Sequence, residues 1–356
     1  VRIWIDLSNS PHPLLFAPIA RRLEELGHEI GVTVRDNAQT VELALERWPD
    51  AAIIGGQSPK SRAQKVEVMM ARIPLLRRWA RSFRADVALS HNSYAQIVAA
   101  KVLGLPVVTA MDYEGQPANH LAFRLADVIL MPEALRHSPA RKQGATDRRT
   151  HFYPGFKEEI YLGDFEPDPN VPASLGIESN GRRLVVARTP PSRAAYHQFG
   201  NPLFGETIEA LGNDPSAQTV VLVRHPEQRE AIEALEFSNV MVPDHSIDSR
   251  SLMYHADLVV GAGGTMTREA ALMGVPTYSV FAGEQPAVDR ELERQGDLRR
   301  LRHTDDFLPL VHRPADPRPI FDLRARAIGL VDMFVESTLS GGRSEARPAF
   351  LSDRIQ

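Results

Sequence analysis

Two hydrophobic rhythms alternate along the chain. Short apolar runs suited to strands covered on both faces occur at Ile3 and Ile5 in VRIWID, and in DVALS, VVTAMD and DVILMP. Later ones occur in RRLVVART, TVVLVRH and NVMVPD, and at Leu258, Val259 and Val260. Between them apolar residues fall at helical spacing, as at Leu15, Ile19, Leu23 and Leu26 before Gly27. Strand, helix and strand follow one another repeatedly. That order predicts βαβ units, and so parallel sheets that bind ligands at the C-terminal ends of their strands.

The rhythm breaks across residues 151–181, where YPGFKEEIYLGDFEPDPNVPASLGIESNG is rich in proline, glycine and acidic residues and reads as an interdomain connection. An α/β half of similar size lies on either side. No repeat of 20–50 residues is present. The last residues, SGGRSEARPAFLSDRIQ, look frayed.

The most informative stretch is ADLVVGAGGTMTREAALMGVPTYS, residues 256–279. It reads as strand, glycine turn, helix, turn and strand. Thr265 is placed to cap the helix, and Gly274 to end it. A glycine turn at a helix N-terminus offers unpaired N–H groups at the positive end of the helix dipole, which suits an anion such as a phosphate. Glu269, about one turn in, could accept hydrogen bonds from a sugar diol. The plainer alternative is a tight strand-to-helix turn followed by a surface glutamate.

Other polar groups gather at predicted strand ends. The first turn holds Asp6, Ser8, Asn9, Ser10 and His12; here the plain alternative is that Asp6 and Ser10 cap the helix and His12 is exposed. His91, Asn92 and Ser93 follow a later strand, and Asp112, Tyr113 and Glu114 the next. Paired carboxylates there could do acid–base work, or cap the helix around His120 to Leu125. In a doubly wound sheet these turns open on one edge. The second half should present Arg188, His197, His225 and the glycine turn toward them across a cleft.

Residues 60–84 carry Lys60, Arg62, Lys65, Arg72, Arg77, Arg78, Arg81 and Arg84 against the single Glu67, with Val66, Met69, Met70, Ile73, Leu76, Trp79 and Phe83 at helical spacing. A basic amphipathic helix can lie on an anionic membrane or grip an acidic acceptor. An ordinary helix with its stripe in the core and its charges solvated has the same pattern.

Composition narrows the classes. The 356 residues exceed what one core usually serves, and 43% hydrophobic with 24% charged is ordinary for a globular protein. A net charge of -4 argues against a nucleic-acid partner. The absence of cysteine excludes disulfides, thiolate ligands and a cysteine nucleophile, and suits the cytosol. No secretory pattern or apolar stretch near 18 residues is seen, so a cytoplasmic protein is expected, at the inner membrane face if the basic segment binds lipid. No metal-ligand spacing such as HExxH occurs, so no metal is expected.

Together the two halves, the acidic linker and the glycine turn with Glu269 resemble the GT-B architecture, two Rossmann-like α/β domains facing a cleft that holds a nucleotide-sugar. GAGGTMTREAALMGVP is similar to the glycine-turn segments of the non-hydrolysing UDP-N-acetylglucosamine 2-epimerases and the MurG-type N-acetylglucosaminyltransferases. The resemblance implies diphosphate at Gly263, Gly264 and Thr265 and ribose at Glu269. DLSNSPHPLLFAPIARRLEELGHEI looks like the MurG opening and implies a cleft histidine at His12. LSHNSYAQIVAAKVLGLPVVTAMDYE is laid out like the epimerase region ending in a catalytic acid, at Asp112 or Glu114. The MurG glycines, the epimerase GTRPE and the epimerase HRREN are missing, the last replaced by ARTPPSRAAYH. The IDxxNSPH and GGTMTREAA stretches resemble most closely a bacterial and archaeal family classed only as a domain of unknown function.

These resemblances imply an N-terminal acceptor-side domain over 1–153, a linker over 154–181 and a nucleotide-sugar domain over 182–318. A helix over 319–337 returns toward the first domain, and a tail covers 338–356. The implied function is metal-independent transfer of a sugar from a nucleotide-diphospho-sugar, a UDP-sugar first, to an unknown acceptor. Arg188 and His225 would join the glycine turn on the nucleotide. Asp6, Ser10, His91, Asn92 and His197 would line the sugar and acceptor side. His12 or Asp112 would be the base, and no cofactor is required. A 2-epimerase in which Asp112 and Glu114 shuttle protons, and a non-catalytic nucleotide-sugar-binding protein, are the alternatives.

Overall fold

A strand that reads RIWIDL can only persist with both faces covered, and the parallel sheet around it does so: Ile3, Trp4, Ile5 and Leu7 are fully buried. The structure is a computed structural model. It describes residues 1–37, 39–57, 61–177, 181–190, 201–245, 247–306, 311–313, 316 and 318–340. The chain forms two compact units, residues 1–161 with 325–356, and residues 162–324.

The first unit runs β1 (Arg2–Leu7), α1 (Pro11–Glu25), β2 (Glu29–Val34), α2 (Thr40–Leu45), β3 (Ala52–Ile53), α3 (Arg62–Phe83), β4 (Val87–His91), α4 (Tyr94–Val102), β5 (Val107–Ala110), α5 (Asn119–Leu125), β6 (Val128–Pro132), β7 (Thr150–Tyr153) and α6 (Lys157–Leu162). Its seven strands are parallel, in the order β3-β2-β1-β4-β5-β6-β7. The order reverses between β1 and β4, and at such a switch point the flanking loops part to leave a crevice. Asp6 pairs in register with Ser90 there. Trp4 donates its indole N–H to Thr33 Oγ1 at 2.8 Å and packs against Trp79 of α3, whose ring stacks on Phe83. Phe83 lies so close to Gly31 that a Cβ there would sit 2.6 Å from its ring, so only glycine lets α3 approach the sheet.

The α3 helix departs from its expected amphipathic pattern in two ways. Ile73, Leu76 and Ala80 are buried, but Val66 and Met70 on the same stripe are 56% and 57% exposed, so the apolar stripe is covered only in the C-terminal part of the helix. Arg72, one of the run of basic residues, is buried.

The second unit begins with α7 (Val171–Ser174), β8 (Arg183–Arg188), α8 (Pro202–Asn213), β9 (Ala217–Leu222), α9 (Pro226–Glu233) and β10 (Val240–Met241). It continues with α10 (Ser249–Tyr254), β11 (Leu258–Gly261), α11 (Thr265–Leu272), β12 (Thr277–Ser279), α12 (Ala287–Gln295), β13 (Arg299–Arg300) and the start of α13 (Arg318–Ser340). Its six parallel strands run β10-β9-β8-β11-β12-β13 and reverse between β8 and β11. Val185, Ala187, Phe204, Ile208, Val221 and Val260 form its core. The rest of α13 belongs to the first unit, where Phe334 packs on Tyr153 at 5.5 Å and Asp332 meets Arg22 at 3.3 Å. The helix continues to Ser340, three residues past its expected end at Ser337. No helix among the described residues is long and apolar enough to cross a membrane.

Candidate functional site

In the second unit the switch point is built from β8 and β11. Arg188, the last residue of β8, pairs in register with Gly261, the last of β11, and on its other side with Leu222 of β9. Gly263 and Gly264 follow with φ of +80° and +88°, a conformation that glycine adopts without strain, and they turn the chain straight into α11. Thr265 is the first residue of that helix and not its cap. Gly264 holds the N-cap position, and no side chain closes it. The opening N–H groups of α11 thus lack a side-chain cap and lie beside an exposed glycine, as an anion site requires.

Glu269 is not a surface glutamate. It is 4% exposed on the buried face of α11. Behind the turn, Arg268 Nε donates to Asp289 Oδ1 at 2.6 Å, and both side chains are buried. Among the described residues Asp289 Oδ2 has no hydrogen-bond partner, and it lies 3.4 Å from where a Cβ on Gly263 would be. Arg188 donates to the Val223 carbonyl at 2.9 Å, and burial first, then the charge of Arg224, lowers its guanidinium to about 10. His225 occupies the N-cap position of α9 without a side-chain cap bond. His197 lies outside the described residues.

In the first unit the residues expected at the sheet edge come together in two adjoining clusters. Asp6 caps nothing. It is fully buried at the end of β1 and takes a two-pronged ion pair from Arg72, Nη1 to Oδ2 and Nη2 to Oδ1, each at 2.8 Å. Thr33 and Ser93 donate hydroxyls to the same carboxylate, and Arg72 Nε donates to the Ile54 carbonyl at 2.7 Å. Ser10 holds the N-cap position of α1 with helical φ and ψ and makes no cap bond.

His12 is not exposed either; its ring is 3% accessible, edge-on to Phe16 and 5.2 Å from the His91 ring. Its Nδ1 accepts the Ser8 N–H at 3.2 Å, which assigns the ring proton to Nε2. Burial, then the charges of His91 and Lys157, hold His12 well below the ordinary imidazole range, with Asp112 opposing them. His12 is thus a neutral donor. His91 Nε2 stands 3.2 Å from Asp112 Oδ1, close enough for an ion pair but short of hydrogen-bond alignment. Asp112 Oδ2 receives Lys157 Nζ at 2.5 Å, and Lys157 also reaches Glu158 at 2.5 Å. Asp112 is therefore coupled to a cation rather than arranged as a simple pair with Glu114. The Glu114 carbonyl accepts Gln143 Nε2.

Asn92 follows β4 with φ +53°, a strained value for a side-chain-bearing residue. Its Nδ2 donates to Asn119 Oδ1 at 2.8 Å and to the Tyr94 hydroxyl at 2.9 Å; burial, opposed by that bond, pushes Tyr94 up to about 12. Asn119 in turn donates to the Tyr113 carbonyl and to Gln143, so the loop carrying Asp112 to Glu114 is tied to β4.

Sequence reasoning missed Arg72, Lys157 and Asp289. Arg72 hides in a basic run, Lys157 in a proline-rich acidic stretch, and Asp289 outside every motif picked out above. Among the described residues no group of three or more His, Asp or Glu side chains is disposed to hold a metal ion.

Residues 1–322 match the family described as "Protein of unknown function (DUF354)", and the chain belongs to it. It is 28% identical to the uncharacterized protein MJ0665 of Methanocaldococcus jannaschii over 320 residues, covering 88% of this chain and 91% of the relative. Among solved structures it resembles the UDP-N-acetylglucosamine 2-epimerase of Rickettsia bellii, with a TM-score of 0.70 at 14% identity over 96% of this chain and 97% of that one. It also resembles the glycotransferase of kitacinnamycin, with a TM-score of 0.61 at 19% identity over 95% and 99%. The chain thus has the GT-B fold of glycosyltransferases and UDP-GlcNAc 2-epimerases.

Proposed function

We propose that this protein binds a nucleotide-diphospho-sugar, a UDP-sugar first, at the strand ends of its second unit and transfers the sugar to an acceptor hydroxyl. The observation that carries the reading is the register of Arg188 with Gly261, which sets a cation beside a glycine turn and a helix N-terminus at a switch point. The fold it shares with a UDP-sugar epimerase and a glycotransferase supports it. The helix N–H groups and Arg188 would stabilise the departing diphosphate, and no metal is invoked for that role. Glu269 would take the ribose diol. Glu269→Ala should then weaken UDP binding by about 1–3 kcal/mol, the range for a hydrogen bond to a charged group. Calorimetry checks this, and unchanged affinity in the folded variant removes the assignment.

The first unit would handle the proton. His91, oriented by Asp112, suits the base, since Lys157 favours the anionic carboxylate and a protonated His91 would balance it. His12, with Nε2 protonated, suits hydrogen-bond donation to a substrate oxygen. The Lys157 pairing is also the feature that favours transfer over 2-epimerisation: a carboxylate held as an anion is a poor proton donor.

The exposed Val66 and Met70 beside Lys65 support peripheral contact of α3 with anionic lipid, with the cytoplasmic membrane face as its place. Co-sedimentation with vesicles should rise with anionic lipid and fall with salt. If no vesicles are bound at low salt, α3 is an ordinary domain helix.

A further inference from the structure

The second unit holds a like-charged pair that stability alone does not explain. Arg188 at the end of β8 donates to the carbonyl of Val223, and Arg224 is the next residue, so two guanidinium-bearing residues leave neighbouring strand ends side by side. Among the described residues neither has a carboxylate partner, and Arg188 Nε is buried with nothing to donate to. Burial and the charge of Arg224 both work against the charge on Arg188. The two loops are nevertheless clamped together. The buried Gln228 accepts the Thr189 hydroxyl and the Arg224 N–H, each at 2.9 Å, and donates its own Nε2 to the Pro190 carbonyl at 2.9 Å. Thr189 and Pro190 follow β8, while Arg224 follows β9. One amide therefore ties together the two loops that carry these repelling cations, next to the glycine turn that Arg188 meets in register. An arrangement in which burial and a like charge both oppose a cation, with no counter-charge among the described residues, suits an anion bound against it.

We propose that Arg188 and Arg224, held together by Gln228, form a two-cation site for a diphosphate-class anion bearing more than one negative charge. Arg224 is then a binding residue, and Gln228 a positioning residue acting through it. This deepens the nucleotide-sugar reading and rests on it only for the nucleotide, so inorganic pyrophosphate tests the anion site by itself.

The experiment titrates pyrophosphate, UDP and uridine into the wild-type protein, Arg224→Gln and Gln228→Leu at several salt concentrations, alongside melting temperatures without ligand. Arg224→Gln should melt higher than wild type when empty, because the repulsion is gone. It should bind pyrophosphate and UDP about ten- to a hundredfold more weakly, as loss of a charge-assisted contact implies, with uridine binding unchanged. Gln228→Leu should lower the salt dependence of pyrophosphate binding toward that of Arg224→Gln, whereas a merely structural glutamine would lower the melting temperature and leave that dependence intact. UDP binding that Arg224→Gln does not alter overturns the two-cation site and leaves the nucleotide reading standing. Pyrophosphate binding that needs Arg224, without any UDP binding, does the reverse. A wild-type protein that binds neither overturns both.

Discussion

Arg72→Ala should cost about 3–5 kcal/mol of folding stability, the range for removing one partner of a buried ion pair. The loss comes mainly from what is left behind. Asp6 is fully buried, and among the described residues the hydrogen bonds left to it without the guanidinium are those from the Thr33 and Ser93 hydroxyls. Arg72 also ties α3 to the strand edge through the Ile54 carbonyl, so the helix loses an anchor along with the charge. Arg72→Lys should recover only part, since an ammonium cannot reproduce the two-pronged contact. Arg78, exposed on the same helix, is the control, and its alanine variant should stay within about 0.5 kcal/mol of wild type. Urea denaturation measures all three. An Arg72→Ala protein as stable as the Arg78 control would mean that the pair does not hold α3 to the sheet.

His91→Ala and Asp112→Asn should each lower turnover by about 10²–10⁴-fold, the usual contribution of a positioned base, while leaving UDP affinity nearly intact. The two groups stand 3.2 Å apart, and Lys157 fixes the other carboxylate oxygen. On the proposed reading His91 would take the proton, and Asp112 would supply the charge that stabilises it there. His12→Ala should lower the rate as well. Its signature differs, because a neutral donor adds no ionisation to the pH–rate profile whereas a base does. UDP release from a UDP-sugar is the assay. If these groups serve only the fold, the same variants will lose stability and keep their rate.

The broad plan was legible because it depends on short-range periodicity. Apolar runs, helical spacing and glycine punctuation announce β8, β11 and α11 from neighbours within a few residues, and the parallel order follows from the alternation. The strand ends were legible for the same reason, so Asp6, His12, His91, Asn92 and Asp112 were expected along one sheet edge. Their partners were not. Arg72 meets Asp6 from 66 residues away and Lys157 meets Asp112 from 45 away, and nothing in either local pattern marks the pairing. In a helix pattern a basic residue reads as solvated, so Arg72 was indistinguishable from Arg78. Thr265 shows the limit of a capping rule: with Gly264 in the left-handed region the turn closes one residue earlier, and the threonine becomes the first helical residue.

The central claim, a nucleotide-diphosphate site at the strand ends of the second unit, is tested most directly by the melting temperature of the wild-type protein and Glu269→Ala with UDP, UDP-GlcNAc, GDP and dTDP-sugars. A ligand that binds only the native state raises its stability by mass action, about 2.7 kcal/mol at a hundred times its Kd. A saturable rise with UDP and UDP-GlcNAc in the wild type, reduced in Glu269→Ala, is the predicted result. No rise with any of these nucleotides, or an identical rise in Glu269→Ala, would contradict it.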